Sequence, residues 1–254
     1  MFKMMKYEYR KGLFPMLMIF SIFGVIELFF LYGTLTKDES KTVLGMSFLM
    51  LASFVAYIFV LIYGVTSYAN DLKNKSGYLT FMAPISTYSI IGAKLLSTLL
   101  TGMTFVAVIA VLAVIDYSLV ANVFELESLL ELLKEMVSAF GYDLASILFG
   151  MLAFVVTFLI QFFMVVTVAY LAVSLASTVL QNKKIKGVVS FVLFLVLIVL
   201  INKVAVMISS GETSSYATFL EAMKEMLPVI GFYLACSVVA FLGSGFLLDR
   251  KISL

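Results

Sequence analysis

Histidine is absent from the sequence, and cysteine occurs once among 254 residues. The absence of histidine excludes imidazole general bases, Ser–His and Cys–His nucleophile pairs, and the commonest metal ligand. Cys236 lies in an apolar run with no second cysteine in the sequence, which excludes an internal disulfide and favours a free, packed thiol. No glycine is followed five residues later by Gly-Lys-Ser or Gly-Lys-Thr, so the sequence lacks the glycine-rich loop that binds nucleotide phosphates.

Charged residues are scarce: 13% of the residues are charged and 63% are hydrophobic, and the mean hydropathy is +1.14. Soluble domains are about 25% charged and about 45–50% apolar. The composition therefore predicts an all-α, polytopic membrane protein, with residues 1–254 forming a single transmembrane domain. A bilayer core of about 30 Å needs about 20 apolar residues per helix, and six segments meet this requirement. The predicted spans are residues 13–33, 43–68, 88–115, 144–178, 187–208 and 229–248.

Three further segments are amphipathic or too polar to span. Residues 1–12 carry basic residues on one face and apolar residues on another, which predicts an interfacial helix. A basic start also fits a signal peptide, but no small-residue cleavage site follows it. An apolar stripe flanked by acidic residues predicts an outer amphipathic helix over residues 122–140. Residues 209–228 are polar and then mildly amphipathic, which suits a short helix dipping back into the membrane.

The basic residues predict how the spans are oriented. With the amino terminus inside, the inner segments hold 12 of the 17 lysines and arginines, and the outer segments hold the other five. Cytoplasmic loops carry an excess of these two residue types. Both termini and residues 70–84 are therefore predicted to be cytoplasmic.

Residues 70–84, here called the docking stretch, form the most informative polar segment and lie between the second and third spans. The stretch combines charged residues with large apolar ones, and exposed apolar groups rimmed by charge are typical of protein-binding surfaces. An ordinary loop at the lipid surface is the alternative. The residues predicted to contact a partner are Asp71, Lys73, Lys75, Gly77, Tyr78, Leu79, Phe81 and Met82.

Taken together, the pattern resembles the permease subunit of a type-2 ABC exporter. The resemblance covers nearly the whole chain as architecture: a basic amphipathic helix at the amino terminus, six spans, and a cytoplasmic stretch after the second span. In such permeases this stretch is a coupling helix that sits in a groove of a separate ATPase subunit. The local match consists of Asp71, Lys73, Lys75-Ser76-Gly77-Tyr78-Leu79, Ala83-Pro84-Ile85-Ser86 and Gly92-Ala93-Lys94.

The resemblance implies partners and a location. It implies two ATPase subunits, which bind ATP and Mg, together with two copies of this chain or with this chain and a paralogue. It implies no catalytic residue, cofactor or metal on this chain, no nucleic-acid partner, and a bacterial inner or plasma membrane. Outer re-entrant helices before the last span are a family feature that would suit residues 209–228. Small permeases of this class often resemble exporters of amphipathic peptides or bacteriocin-immunity pumps; export of a lipid or a drug, and extrusion of sodium, are the alternatives.

Polar residues inside the apolar spans are candidates for a substrate pathway. Glu27 is an acid within the first span, where a charge at the bilayer centre costs at least about 2.5–3.5 kcal/mol. It is predicted either to line a cavity or to reach the outer interface or a polar neighbour. Gln161 shares a face with small residues, which fits either helix packing or a pathway. The full set of candidates is Glu27, Tyr57, Tyr63, Gln161 and Asn202.

Three other classes of protein compete with an exporter permease. The membrane substrate-binding subunit of an ATP-dependent vitamin uptake system also has six spans, but it would not need an exposed apolar docking stretch. An intramembrane enzyme is disfavoured because the sequence has no histidine and no two acids within one predicted span. A sensor without transport activity would be favoured if no ATPase partner were found.

Overall fold

The computed structural model describes residues 2–73, 86–124, 144–179, 185–209 and 219–251. These residues form six α-helices and no β-strand, and each helix is long and apolar enough to cross a membrane. The predicted all-α fold with six membrane-spanning helices is therefore confirmed. The helices are α1 (Phe2–Leu35), α2 (Glu39–Lys73), α3 (Thr87–Val123), α4 (Leu144–Val179), α5 (Lys186–Ser209) and α6 (Phe219–Lys251).

Several helices are longer than the spans predicted for them. α1 runs unbroken through the predicted boundary after Gly12, with Pro15 inside it; long apolar helices tolerate a proline because neighbouring groups satisfy the freed carbonyl. α3 continues past Ile115 to Val123, and α6 begins at Phe219, ten residues before its predicted span. Residues 74–85 of the docking stretch and its flank, residues 125–140 of the predicted outer helix, and residues 210–218 lie outside the described residues.

All six helices are longer than a bilayer core is thick, and five of them exceed it by a wide margin. α1, α2, α3, α4 and α6 contain 33–37 residues, whereas α5 contains 24. At about 1.5 Å per residue the five longer helices measure roughly 50–55 Å, against a hydrocarbon core of about 30 Å. The ends of these helices therefore lie outside the apolar core, where polar side chains are stable.

The chain divides into two compact units. The N-terminal unit comprises Phe2–Tyr63 and Leu96–Tyr142, and so contains α1 and most of α2 and α3. The C-terminal unit comprises Gly64–Leu95 and Asp143–Leu254, and so contains the end of α2, the start of α3, and α4, α5 and α6.

In the N-terminal unit, α1 and α2 form a tightly packed antiparallel hairpin. A Cβ atom added to Gly45 would lie 2.7 Å from Phe30 Cα, and one added to Gly33 would lie 2.8 Å from the backbone nitrogen of Thr42. Small residues at such points allow two helix backbones to approach each other in a membrane. Glycine is therefore required at Gly33 and Gly45 for this hairpin to close.

A short turn at residues 36–38 joins α1 to α2. Lys37 has a φ of 55°, and the N–H groups of Lys37 and Asp38 each donate a 3.1 Å hydrogen bond to a carbonyl of the last turn of α1. This is the Schellman arrangement that ends many helices. Asp38 then caps α2, because its Oδ1 accepts a 3.2 Å hydrogen bond from the Lys41 N–H. Bonding to the Lys41 ammonium and N–H holds the pKa of Asp38 below its usual value.

We expect Gly45→Ala to destabilise the chain, whereas Gly24→Ala should not. The new methyl group at position 45 would meet the α1 backbone, and such overpacking costs about 1–3 kcal/mol. Nothing lies within 4 Å of a Cβ added to Gly24, so that substitution should gain up to about 1 kcal/mol from helix propensity. Thermal unfolding of both variants in one detergent, followed by circular dichroism, compares them. Equal shifts in the melting temperatures of the two variants would contradict the close approach of α1 and α2 at Gly45.

In the C-terminal unit, α4, α5 and α6 pack around a common apolar core. Met164 and Val168 of α4 and Ala240 of α6 are buried at its centre. Residues of all three helices surround these side chains, among them Leu171, Phe194, Ile198 and Tyr233. Cys236 is also in this cluster, as a free thiol packed against apolar side chains. This core fixes α4, which carries part of the polar cluster described next.

Candidate functional site at the base of the docking stretch

A buried ion pair joins the last turns of α2 to the second turn of α3. Lys94 Nζ lies 2.6 Å from Asp71 Oδ2, and the two side chains are 1% and 12% exposed, respectively. A buried ammonium is costly unless it is paired, so the carboxylate explains how a lysine is tolerated at this position. Both residues belong to the C-terminal unit.

The ion pair lies close to the two helix ends that flank the docking stretch. Asp71 comes shortly before the end of α2 at Lys73, and Lys94 comes shortly after the start of α3 at Thr87. The pair therefore ties together the two helices from which the docking stretch emerges. A displacement of that segment would be carried into α2 and α3 together, since a buried, ion-paired contact resists separation.

Next to the ion pair, α2 is held to α4 by two stacked tyrosines. Tyr68 and Tyr170 are both 0% exposed, and their rings lie 4.3 Å apart, centroid to centroid, at an interplanar angle of 22°. The Tyr68 hydroxyl is 2.6 Å from Ser174 Oγ, and the Tyr170 hydroxyl donates a 3.4 Å hydrogen bond to the carbonyl of Gly64. Residues three apart share a helix face, so Tyr68 and Asp71 face the same side of α2.

The first turn of α3 is fixed in turn to the end of α6. The Thr87 hydroxyl donates a hydrogen bond to an Asp249 carboxylate oxygen. The Tyr88 ring packs beside Phe241, with centroids 6.1 Å apart, and occupies the space above Gly245. A Cβ atom on residue 245 would overlap the Tyr88 ring at Cε1, so glycine at this position leaves room for the ring. We call Tyr68, Asp71, Lys94, Tyr170 and Ser174, together with this α3–α6 contact, the base cluster.

The predicted partner-contacting residues are only partly within the described part of the chain. Asp71 is paired with Lys94 inside the protein, rather than lying at an exposed rim. Lys73 is the last residue of α2. The other six, Lys75, Gly77, Tyr78, Leu79, Phe81 and Met82, lie outside the described residues.

The predicted pathway residues are divided between the two units. Glu27, Tyr57 and Tyr63 belong to the N-terminal unit, whereas Gln161 and Asn202 belong to the C-terminal unit. Gln161 and Asn202 are exposed, and Asn202 Oδ1 accepts a 3.4 Å hydrogen bond from the Tyr233 hydroxyl.

The three pathway candidates of the N-terminal unit lie in different surroundings. Tyr57 is half-buried, and Tyr63 stacks on Phe59 with ring centroids 6.1 Å apart and packs against Gly12. Glu27 alone of the three lines a cavity of about 280 Å³ in this unit, and Asp116 of α3 lines the same cavity. Asp116 comes directly after the predicted end of the third span at residue 115, but α3 continues to Val123, so a second acid lies with Glu27 in the membrane-spanning helices.

Sequence reasoning did not predict several residues of these sites as site residues, among them Lys94, Tyr68, Tyr170, Ser174 and Asp116. For Lys94 the signal was present, because an ionisable residue in an apolar helical run marks a paired or functional position. For the two tyrosines no local signal exists, because aromatic residues near helix ends also occur as ordinary interfacial anchors.

Comparisons with known proteins assign no family to this arrangement. A scan against protein-family models, a search of curated proteins and a search of solved structures found no match to the chain.

Proposed function

We propose that this chain is the membrane-spanning permease subunit of an ATP-driven, type-2 ABC exporter. In this proposal it moves a hydrophobic or amphipathic substrate, most simply a peptide, out of the cytoplasm or the inner leaflet. A separate ATPase subunit drives the change between inward-facing and outward-facing states. The observation that carries the proposal is the buried Asp71–Lys94 ion pair at the base of the docking stretch.

In this proposal the energy that moves the membrane helices comes from another protein. The sequence contains no phosphate-binding loop, so a transport cycle needs another protein's nucleotide chemistry. A partner shifts a conformational equilibrium only through contacts that differ between the two states. The docking stretch would make those contacts through Tyr78, Leu79, Phe81 and Met82. The base cluster would then transmit them, because α2, α3, α4 and α6 are bound to one another there.

The proposed assembly contains two ATPase subunits, with ATP and Mg bound to them, and two permease chains, either identical or paralogous. The distribution of lysine and arginine supports a membrane orientation with both termini in the cytoplasm. The docking stretch is then on the side where ATP is available. Within this assembly we assign Asp71 a positioning role beneath the docking surface rather than a direct contact with the ATPase.

Substitution of the docking stretch tests this function. We expect Tyr78→Asp and Phe81→Asp to abolish co-purification of the ATPase subunit, because each places a charge in an apolar contact with the partner. The chain is co-expressed with ATPases from its genomic neighbourhood, purified in mild detergent and assayed for ATP hydrolysis with and without amphipathic peptides. Tyr32→Asp is the matched control, since Tyr32 is 57% exposed and lies in the last turns of α1, beside Lys41 near the start of α2.

The outcomes separate the competing functions. Retention of the ATPase by both docking variants would overturn the proposed contact. A chain that purifies with a bound small molecule, and whose ATPase activity does not respond to peptide, would favour the vitamin-uptake binding subunit. A chain that purifies alone after every co-expression would favour a sensor.

A further inference from the structure

The cavity of the N-terminal unit lies between α1, α2 and α3, and it combines two acids with apolar walls. Its volume is about 280 Å³, enough for about nine water-sized heavy atoms at about 30 Å³ each. The walls include Phe23 and Phe30 of α1, which are 5% and 0% exposed. Met46 and Met50 of α2 also line the cavity and are 45% and 79% exposed, so it opens on their side.

The two acids meet at the wall formed by α1 and α3. The side chains of Glu27 and Asp116 are neighbours in this wall. One oxygen of each carboxyl group is fully buried: Glu27 Oε2 and Asp116 Oδ1 have no hydrogen-bond partner among the described residues. Asp116 as a whole is only 7% exposed. Two buried acceptors without donors, in a cavity large enough for a ligand, indicate that a donor is missing.

The chemistry of the walls defines that donor. An anion is excluded by the two acids, because like charges in a buried site repel. A hard metal ion such as Ca²⁺ takes six to eight oxygen ligands, whereas this cavity is lined mainly by carbon and sulfur atoms. The Ser53 hydroxyl, another polar group in the wall, already donates a 2.8 Å hydrogen bond to the Leu49 carbonyl.

An ammonium group fits all of these features. It carries three N–H donors and a positive charge, which suits two carboxyl oxygens, and aromatic faces such as those of the two phenylalanines attract cations. The remaining walls suit an apolar body attached to the ammonium group. We propose that this cavity binds a primary amine with an apolar body, its ammonium group donating hydrogen bonds to Glu27 Oε2 and Asp116 Oδ1.

Two sources could supply such a group: a free amine or cationic peptide, and the headgroup of an aminophospholipid. Binding to the cavity requires only this chain. The further statement that a bound amine or peptide is transported cargo rests on the proposed exporter function. The binding experiment below therefore uses the chain without an ATPase, so that a failure of the site and a failure of the exporter function are distinguishable.

Binding is measured with the full chain in phosphatidylcholine nanodiscs, by ¹⁹F NMR of 4-fluorophenethylammonium. For a probe of this size we expect a dissociation constant on the order of 0.1–1 mM. The matching alcohol, 4-fluorophenethanol, should bind about ten-fold or more weakly, because it carries no positive charge and has one O–H donor instead of three N–H donors. This comparison uses the unaltered chain and is independent of whether any variant folds.

Variants then locate the site. Glu27→Gln and Asp116→Asn should each weaken binding of the amine by about ten- to a hundred-fold while leaving binding of the alcohol unchanged. Glu39→Gln, at an exposed acid at the start of α2, makes the same charge change outside the cavity and should bind like the unaltered chain. Ser53→Leu, which adds volume to the cavity wall without changing charge, should weaken both probes.

The source of the amine is resolved by competition. If the ligand is a lipid headgroup, phosphatidylethanolamine in the nanodisc should displace the probe. If the ligand is a soluble amine or a peptide, a lysine-containing amphipathic peptide should displace the probe. Equal affinity for amine and alcohol, or unchanged amine binding in both Glu27→Gln and Asp116→Asn, would overturn the site.

Discussion

Asp71→Asn is expected to destabilise the chain by about 3–5 kcal/mol, the usual cost of removing one partner from a buried ion pair. The reason is that the Lys94 ammonium, whose side chain is 1% exposed, loses the carboxylate 2.6 Å away. Thermal unfolding of the purified chain in detergent would measure the loss as a lower apparent melting temperature. The same variant should also reduce ATPase co-purification, because α2 and α3, the helices on either side of the docking stretch, would no longer be tied together.

Two further substitutions separate stability from coupling in this experiment. Asp71→Asn combined with Lys94→Met removes both charges, and replacing a buried pair by neutral groups is often neutral for stability. We expect the melting temperature of the double variant to return most of the way to that of the unaltered chain. Its co-purification with the ATPase should remain weak. Lys41→Met breaks the exposed Asp38–Lys41 pair, whose side chains are 35% and 44% exposed, and should cost less than about 1 kcal/mol. Equal losses in Lys41→Met and Asp71→Asn would contradict the special role of the buried pair.

Tyr68→Ala should destabilise the chain by about 3–5 kcal/mol, as expected for a fully buried aromatic residue truncated to alanine. It removes the stack against Tyr170 and leaves a void between α2 and α4. Tyr68→Phe keeps the ring and removes only the hydroxyl. It should cost about 0.5–1.5 kcal/mol, because Ser174 Oγ still donates a 2.8 Å hydrogen bond to the Tyr170 carbonyl.

Unfolding curves for the two Tyr68 variants are best compared with that of Tyr7→Ala. Tyr7 is 68% exposed, so the same truncation there removes little packing and should leave the melting temperature nearly unchanged. If Tyr68→Phe were as damaging as Tyr68→Ala, the hydroxyl rather than the stack would hold α2 to α4.

The six spans could be predicted because each is a long apolar segment, and apolar length is a local property of the sequence. Helix ends were predicted less well, for a physical reason visible at Asp116. A charged residue after an apolar run ordinarily marks the end of a span, and the third span was accordingly ended at residue 115. Asp116 is instead buried beside Glu27, a residue of another helix, and α3 continues to Val123. No local pattern reveals such a partner.

The same difference between local sequence signals and contacts between helices applies to the candidate sites. Glu27 was identified because an acid within an apolar span is visibly costly, and the structure shows it lining a cavity. Asp71 was identified as a charged residue of the docking stretch, but its pairing with Lys94 depends on how α2 and α3 pack. Tyr68 and Ser174 are 106 residues apart in sequence and make a buried contact that sequence periodicity cannot predict.

The pairing of Glu27 with Asp116 also has a consequence for biosynthesis. Asp116 follows Glu27 by 89 residues (116 − 27). At about 5–20 residues per second, roughly 4–18 s pass between the synthesis of the two residues. During that interval α1 carries an acid whose partner does not yet exist, and burying it alone in lipid is costly. We therefore expect α1 to reach its final position in the membrane only after α3 has emerged from the ribosome.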